Sequence, residues 1–267
     1  MRVKTRMVRV RRRRPAVRRA VVLLFITLCA YLYMIALRGD PVQAILDARD
    51  EERVRREVAL DGLEIHAVRT AVCDSAETAR VEAARYIPRG AAGYMLQEET
   101  WHILCAGYET EAQAKTVRDR LRAEENIACD VLGLVAEKVS VYVTAAPSQI
   151  DALIACERRL RETETLLGAL SLAVDDGETP RSQIISAVEE AASLLESALS
   201  DFRAAAGEGD ETVCAPLQDM AGYAVTVLEK LGGEYSALGD TLFSGRVKDA
   251  FIRLRVAHIF WLDSLGA

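Results

Sequence analysis

Side chains with reactive or ligating chemistry are few in this chain and poorly grouped. Its 267 residues hold three histidines and six cysteines, with no C-x-x-C or C-x-x-H pair, no H-E-x-x-H and no G-x-S-x-G. His66 and His102 fall in one region but lack a third ligand at usable spacing, so neither a metal nor a cofactor is expected. The five cysteines after residue 37 (Cys73, Cys105, Cys129, Cys156 and Cys214) are scattered and suit small core positions rather than a disulfide framework. An enzyme is therefore not expected, and the chemistry left is binding. Its candidates are Arg69, His102 and Leu104, which fall on one side of two alternating stretches, with Trp101 adjacent. Each has a plainer role open to it. Trp101 suits a core or rim position, His102 a plain surface position, and Arg69 an ion pair with a carboxylate such as Glu99.

Residues 62–145 must position that set, and they repeat one pattern with an offset of about 35 residues. Stretch 63–72 has strand character, 76–87 is helical, Pro88-Arg89-Gly90 breaks it, and 93–97 is extended. The second pass has a strand over 101–107, a helix over 111–125 and a closing strand over 127–134. Thr110 with Gln113 predicts a capping box at the second helix, and Ser75 occupies the matching position at the first. Small or apolar residues form one stripe on each helix, Ala79, Ala83 and Tyr86 on one and Ala114, Val117 and Leu121 on the other. The order is βαβ-βαβ, an α+β arrangement with both helices on one sheet face and the other face bare. Strand alternation points Val68, Thr70, Ile103 and Cys105 at the helices and Arg69, His102 and Leu104 at the bare face.

The flanks predict a membrane tether and a helical extension. Ten of the 34 Lys and Arg precede residue 38, and none of the 40 Asp and Glu do. Residues 1–19 form a basic cytoplasmic segment. The uncharged run 20–37 would span about 27 Å as a helix, close to a bilayer core, so a single-pass cell-membrane protein is expected. Basic residues stay on the cytoplasmic side, which places the acidic remainder outside. A cleaved signal peptide is the competing reading. Residues 38–61 are charge-dense and suit a helical stalk, and 138–144 alternates like a further strand. Beyond 146, four segments with apolar residues at three- and four-residue spacing predict an antiparallel four-helix bundle over 146–267. Ser148 is placed as the first cap, Thr179-Pro180 opens the second helix, and the last helix follows Gly245. Trp261 either fills the bundle or anchors a partner.

The passage His102-Ile103-Leu104-Cys105-Ala106-Gly107-Tyr108, followed by Thr110 and the Ala112/Ala114 helix, resembles the sporulation-related repeat (SPOR) domain, a peptidoglycan-binding module of bacterial envelope proteins. Ala67 to Cys73 is similar but more worn. The resemblance covers roughly 62–135, and the order of cytoplasmic segment, span and linker is similar to that family's. It implies that the bare face holds glycan strands stripped of stem peptides, through Arg69, Trp101, His102 and Leu104. An uncharged glycan suits an acidic protein, since aromatic and apolar contact with a few hydrogen bonds suffices. The chain departs from the family where Arg69 replaces Gln, losing an acceptor, and where Ala71 replaces Gly. The expected function is a membrane-anchored glycan-binding scaffold for division or sporulation, with the bundle engaging another envelope or sporulation protein. The alternative is a structural assembly protein that binds protein partners without touching sugar, and homo-oligomerisation is open in both. Nucleic acid is not an expected partner. The module is acidic, lies on the outer side of the membrane and has no paired strand aromatics.

Overall fold

Strands form where apolar side chains alternate, and their pairing builds a ladder longer than the repeat alone predicts. The computed structural model describes residues 52–177, 179–206 and 213–266. The expected basic segment, the membrane helix at 20–37 and the linker up to residue 51 lie outside them. Among the described residues, no helix is long and apolar enough to cross a membrane. The protein is α+β with antiparallel sheets.

Among the described residues there are six strands: β1 (Val54–Leu60), β2 (Leu63–Cys73), β3 (Tyr94–Gln97), β4 (Trp101–Tyr108), β5 (Asp130–Ala136) and β6 (Val139–Ala145). A four-stranded sheet has the order β3-β4-β2-β5, and β1 pairs with β6 in a two-stranded ribbon. Both partnerships share one register. Val54 faces Ala145, Leu60 faces Val139, Leu63 faces Ala136, and Arg69 faces Asp130. The ribbon thus continues the β2–β5 pair past a kink at Asp61-Gly62 and Glu137-Lys138. Gly62 is required there, because a Cβ would stand 2.7 Å from the Ala136 carbonyl oxygen. The expected helical stalk is therefore corrected: 54–60 is a strand, because Val58 and Leu60 alternate into the core and β6 offers matching Val141 and Val143.

The helices of the two passes are α1 (Ala76–Tyr86), followed by a short 3-10 turn at Ile87–Arg89, and α2 (Glu111–Glu124). Ser75 caps α1 by accepting from the Thr78 amide at 3.2 Å. Thr110 and Gln113 form the capping box reciprocally, each bond 3.3 Å long. At the far end of α2, Asn126 adopts φ 53, a left-handed conformation that suits Asn at a helix stop.

The C-terminal helices are α3 (Pro147–Asp176), α4 (Arg181–Ala206), α5 (Cys214–Gly232) and α6 (Asp240–Gly266). Neighbours in sequence pack together, and α6 closes the bundle against α3. Two expected boundaries move. The α3 cap is Ala146, whose amide donates to the Gln149 side chain at 3.0 Å, rather than Ser148. Helix α6 begins at Asp240, so Gly245 lies inside it, where glycine is needed because a Cβ would stand 2.8 Å from the Ala91 carbonyl oxygen.

Helix α6 decides the architecture. It belongs to the bundle and also lies across β2, β3, β4, β5 and β6. Gly107 marks the side it occupies, since a Cβ there would meet Ile65 and Ile252, whereas neighbouring Ala106 and Tyr108 cluster with Ala114 of α2. Leu63, Ile65, Ala67 and Leu104 join Phe251, Ile252 and Leu254 in one core shared by sheet and bundle. The expected bare face is thus closed, with α1 and α2 on one side of the sheet and α6 on the other. More than half of the 27 residues of α6 are buried, over a wide arc that leaves one narrow exposed stripe through Arg246, Arg253, Ala257 and Phe260.

Candidate functional site

Two compensating bulges set the direction of every side chain in the predicted binding set. Between Val68 and Arg69 the β4 partner moves from Ala106 to Leu104, which leaves Cys105 extra. Between Arg69 and Ala71 it moves only from Leu104 to Ile103, which leaves Thr70 extra. The two extra residues meet, Thr70 Oγ1 standing 3.2 Å from Cys105 Sγ. Each bulge re-aims a strand, so Cys105 and Ala106 both reach the helix layer, and Ala71 and Cys73 do so as well.

Arg69, His102 and Leu104 lie on the face away from α1 and α2, as alternation implies, while Val68 packs with Ala114 and Ile103 with Ala79 and Ala83. That face is not available along its length. Leu104 is 0 % exposed within the core shared with α6. Trp101 leaves the set in the other direction and packs on the α1 side near Cys73 and Ile103. The structure therefore brings together only Arg69 and His102, and a continuous glycan platform containing Trp101 and Leu104 does not form.

At the end of the sheet Arg69 forms a two-pronged pair with Asp130. Its Nε donates to Asp130 Oδ1 at 2.9 Å, and its Nη2 donates to Oδ2. The partner is thus Asp130, directly opposite in the ladder, rather than Glu99. The remaining guanidinium prong meets His102 Nδ1 at 3.1 Å, and His102 Nε2 lies 3.2 Å from Glu98. With Nδ1 accepting from Arg69, the ring proton sits on Nε2, toward Glu98. The Arg69 hydrogen bonds and charge hold the Asp130 carboxyl below its usual range. His102 is only 8 % exposed. This cluster is a satisfied end-of-sheet network whose groups already hold one another.

A second polar network, which the sequence reading missed, lies between α3 and α6. His258 Nδ1 meets Glu164 Oε1 at 2.8 Å, and both residues are 0 % exposed. Glu164 Oε2 and Arg255 Nε stand 3.2 Å apart but outside hydrogen-bond geometry. Arg255 also reaches Glu109 at the β4–α2 junction. Nearer the start of α3, Glu157 accepts from Arg161, which donates to the backbone carbonyls of Asp61 and Gly62 at 2.8 and 3.1 Å. The network thus ties the bundle to the ladder kink and to the start of α2. A sequence signal existed in the i,i+4 pair Glu157/Arg161 and in His258 on an apolar helix, but the partners come from distant segments.

Among the described residues, no group of three His, Cys, Asp or Glu is arranged to hold a metal. Burial pushes the Cys105 thiol up to about 11 and Cys156 up to about 12, so both thiols are protonated and unreactive at neutral pH. The sequence matches no protein-family model, and no curated protein or solved structure matches it.

Proposed function

We propose that this chain is a membrane-tethered assembly protein of the bacterial envelope, its SPOR-like unit and bundle forming one scaffold that binds protein partners rather than glycan. The tether is the uncharged run 20–37 behind its basic segment, with the rest of the chain outside the cytoplasm. One observation carries the choice between the two expected functions: α6 fills the sheet face on which a glycan would have to lie, burying Leu104 completely. Each Val, Leu, Ile or Phe that α6 buries contributes about 1.5–3 kcal/mol. Lifting the helix forfeits Val247, Phe251, Ile252, Leu254, Val256 and Ile259 together, and that loss is comparable to the whole stability of an ordinary domain, about 5–15 kcal/mol. Such a helix is part of the fold and does not act as a lid over a sugar site.

The βαβ-βαβ order and the strand-to-helix passage at 102–114 support a SPOR-derived origin for the sheet unit. In this reading the unit keeps its shape and has exchanged its ligand face for the bundle. The test uses full-length protein in uncharged detergent. Size-exclusion chromatography with light scattering should give a protein mass above that of one chain at micromolar concentration, and purified sacculi should retain no more protein after amidase treatment than before. Strong enrichment on amidase-treated sacculi, abolished by Arg69→Ala with His102→Ala, would overturn the assembly reading and restore the glycan one.

A further inference from the structure

The helix side of the sheet holds a cleft that no expected function uses. It lies between the end of α1 and the body of α2, has a volume of about 210 Å3, and is floored by the two bulge residues Thr70 and Cys105 together with Tyr108. Val117, Leu121 and Ile127 make one apolar wall. Tyr108 is 3 % exposed, yet its hydroxyl has no hydrogen-bond partner. A buried hydroxyl left unpaired costs about 1–3 kcal/mol, so its place beside a cavity calls for an acceptor from outside the chain. Bulges of this kind recur next to binding sites because they re-aim side chains, and here they bring Thr70 and Cys105 onto the same floor.

Charge selects the ligand. Lys248 also borders the cleft but is engaged, 2.7 Å from Asp175 and donating to the Gly90 carbonyl at 3.0 Å. Asp175 is likewise engaged, accepting from Ser244 at 2.9 Å. At the mouth stand Arg89, Arg120 and Glu125, and among the described residues neither Arg89 nor Arg120 makes a hydrogen bond or ion pair. With the Lys248–Asp175 pair neutral, the cleft has an excess of one positive charge. A guanidinium fork fits carboxylate and phosphate alike, but a single excess charge beside Glu125 matches a monoanion better than a phosphate dianion. The apolar wall asks for a hydrocarbon body, and the volume keeps that body short.

We infer that this cleft binds a small monocarboxylate with a short aliphatic chain, its carboxylate accepting from the Tyr108 hydroxyl and the Arg120 guanidinium while the chain lies on Val117 and Leu121. The inference is independent of whether the sheet unit serves assembly or glycan binding.

Calorimetric titration of the full-length protein in uncharged detergent with acetate, propionate, butyrate, hexanoate and inorganic phosphate tests it. Affinity should rise about 3–4-fold per methylene from acetate to butyrate, fall at hexanoate as the chain outgrows the cleft, and be at least tenfold weaker for phosphate than for butyrate. Tyr108→Phe should weaken butyrate about fivefold while leaving the ligand-free protein at least as resistant to urea, since it deletes an unsatisfied group. Arg120→Ala, on the exposed side of α2, should weaken butyrate at least tenfold. Absence of binding heat with every carboxylate up to millimolar concentration would sink the inference. So would phosphate binding more tightly than butyrate, or butyrate binding within twofold of wild type in both variants.

Discussion

The two faces of the four-stranded sheet are covered in opposite ways. On one side α1 and α2 approach through alanines, with Ala79, Ala83 and Ala114 as their buried residues. On the other a single long helix brings Phe251, Ile252 and Leu254 into a core that runs on through the bundle. The first cover is thin and local in sequence, and the second is thick and comes from the far end of the chain. The tandem unit and the bundle therefore share their largest hydrophobic investment and fold as partners. An annex added to a finished module would have left the second face polar.

The contrast can be broken most directly at Phe251. Phe251→Ala should destabilise the protein by about 3–5 kcal/mol and keep one cooperative denaturant transition monitored by both far-ultraviolet dichroism and tryptophan fluorescence; two separated transitions would mean that sheet and bundle are independent. Next in size is the polar seam on the same side. Glu164→Gln removes the charge facing His258 and Arg255 in a fully buried site, and should cost about 3 kcal/mol. Restoration of stability by pairing it with Arg255→Met would show that the lost charge balance was the cause. The thin side responds to overfilling. Ala114→Leu should cost about 1–3 kcal/mol, whereas a change near zero would indicate that α2 floats on the sheet.

The smallest effect is expected at the sheet end. Arg69→Ala should cost under about 1 kcal/mol, because the Asp130 side chain is 49 % exposed and its charge is screened. Its pH dependence has a definite sign. Asp130 titrates lower folded than unfolded, so the pair's contribution is complete above the unfolded carboxylate range, near 4, and disappears as pH falls through the folded value. Urea midpoints of wild type and Arg69→Ala should converge in acid, and a gap that widens below pH 4 would contradict the assignment.

Much of the thin side was legible in the sequence. Period, turn residues and caps at Ser75 and Thr110 are local signals, and local backbone chemistry decides them. The direction of Arg69, His102 and Leu104 was also legible, because it needs only strand alternation. The accessibility of Leu104 was not, since it depends on a helix more than 130 residues away along the chain. A signal was present nonetheless. Besides the stripe through Val247, Phe251 and Leu254, α6 carries Ile252, Val256, Ile259 and Leu262, an apolar arc too wide for one layer, with only a narrow stripe through Arg246, Asp249 and Arg253 left polar. Strand β1 was hidden for a different reason. Arg55, Arg56 and Glu57 are charged and exposed, and only Val58 and Leu60 show the alternation, too short a run to outweigh the helical composition before it. The Arg69–Asp130 pair and the His258 network required registers and crossings that no local pattern encodes.

The reciprocal irregularity at Thr70 and Cys105 bears on how length changes are tolerated in this chain. Each of them is unpaired in the ladder and lies on the same side as the residue that follows it, Ala71 or Ala106, so deleting either one restores plain alternation on its strand and leaves the remaining β2–β4 pairs in register. Loss of both in the same molecule would leave the reading of faces intact on either side of the excision. The two positions can therefore be lost singly as well as together, each loss costing the contact between them and the twist the bulge adds.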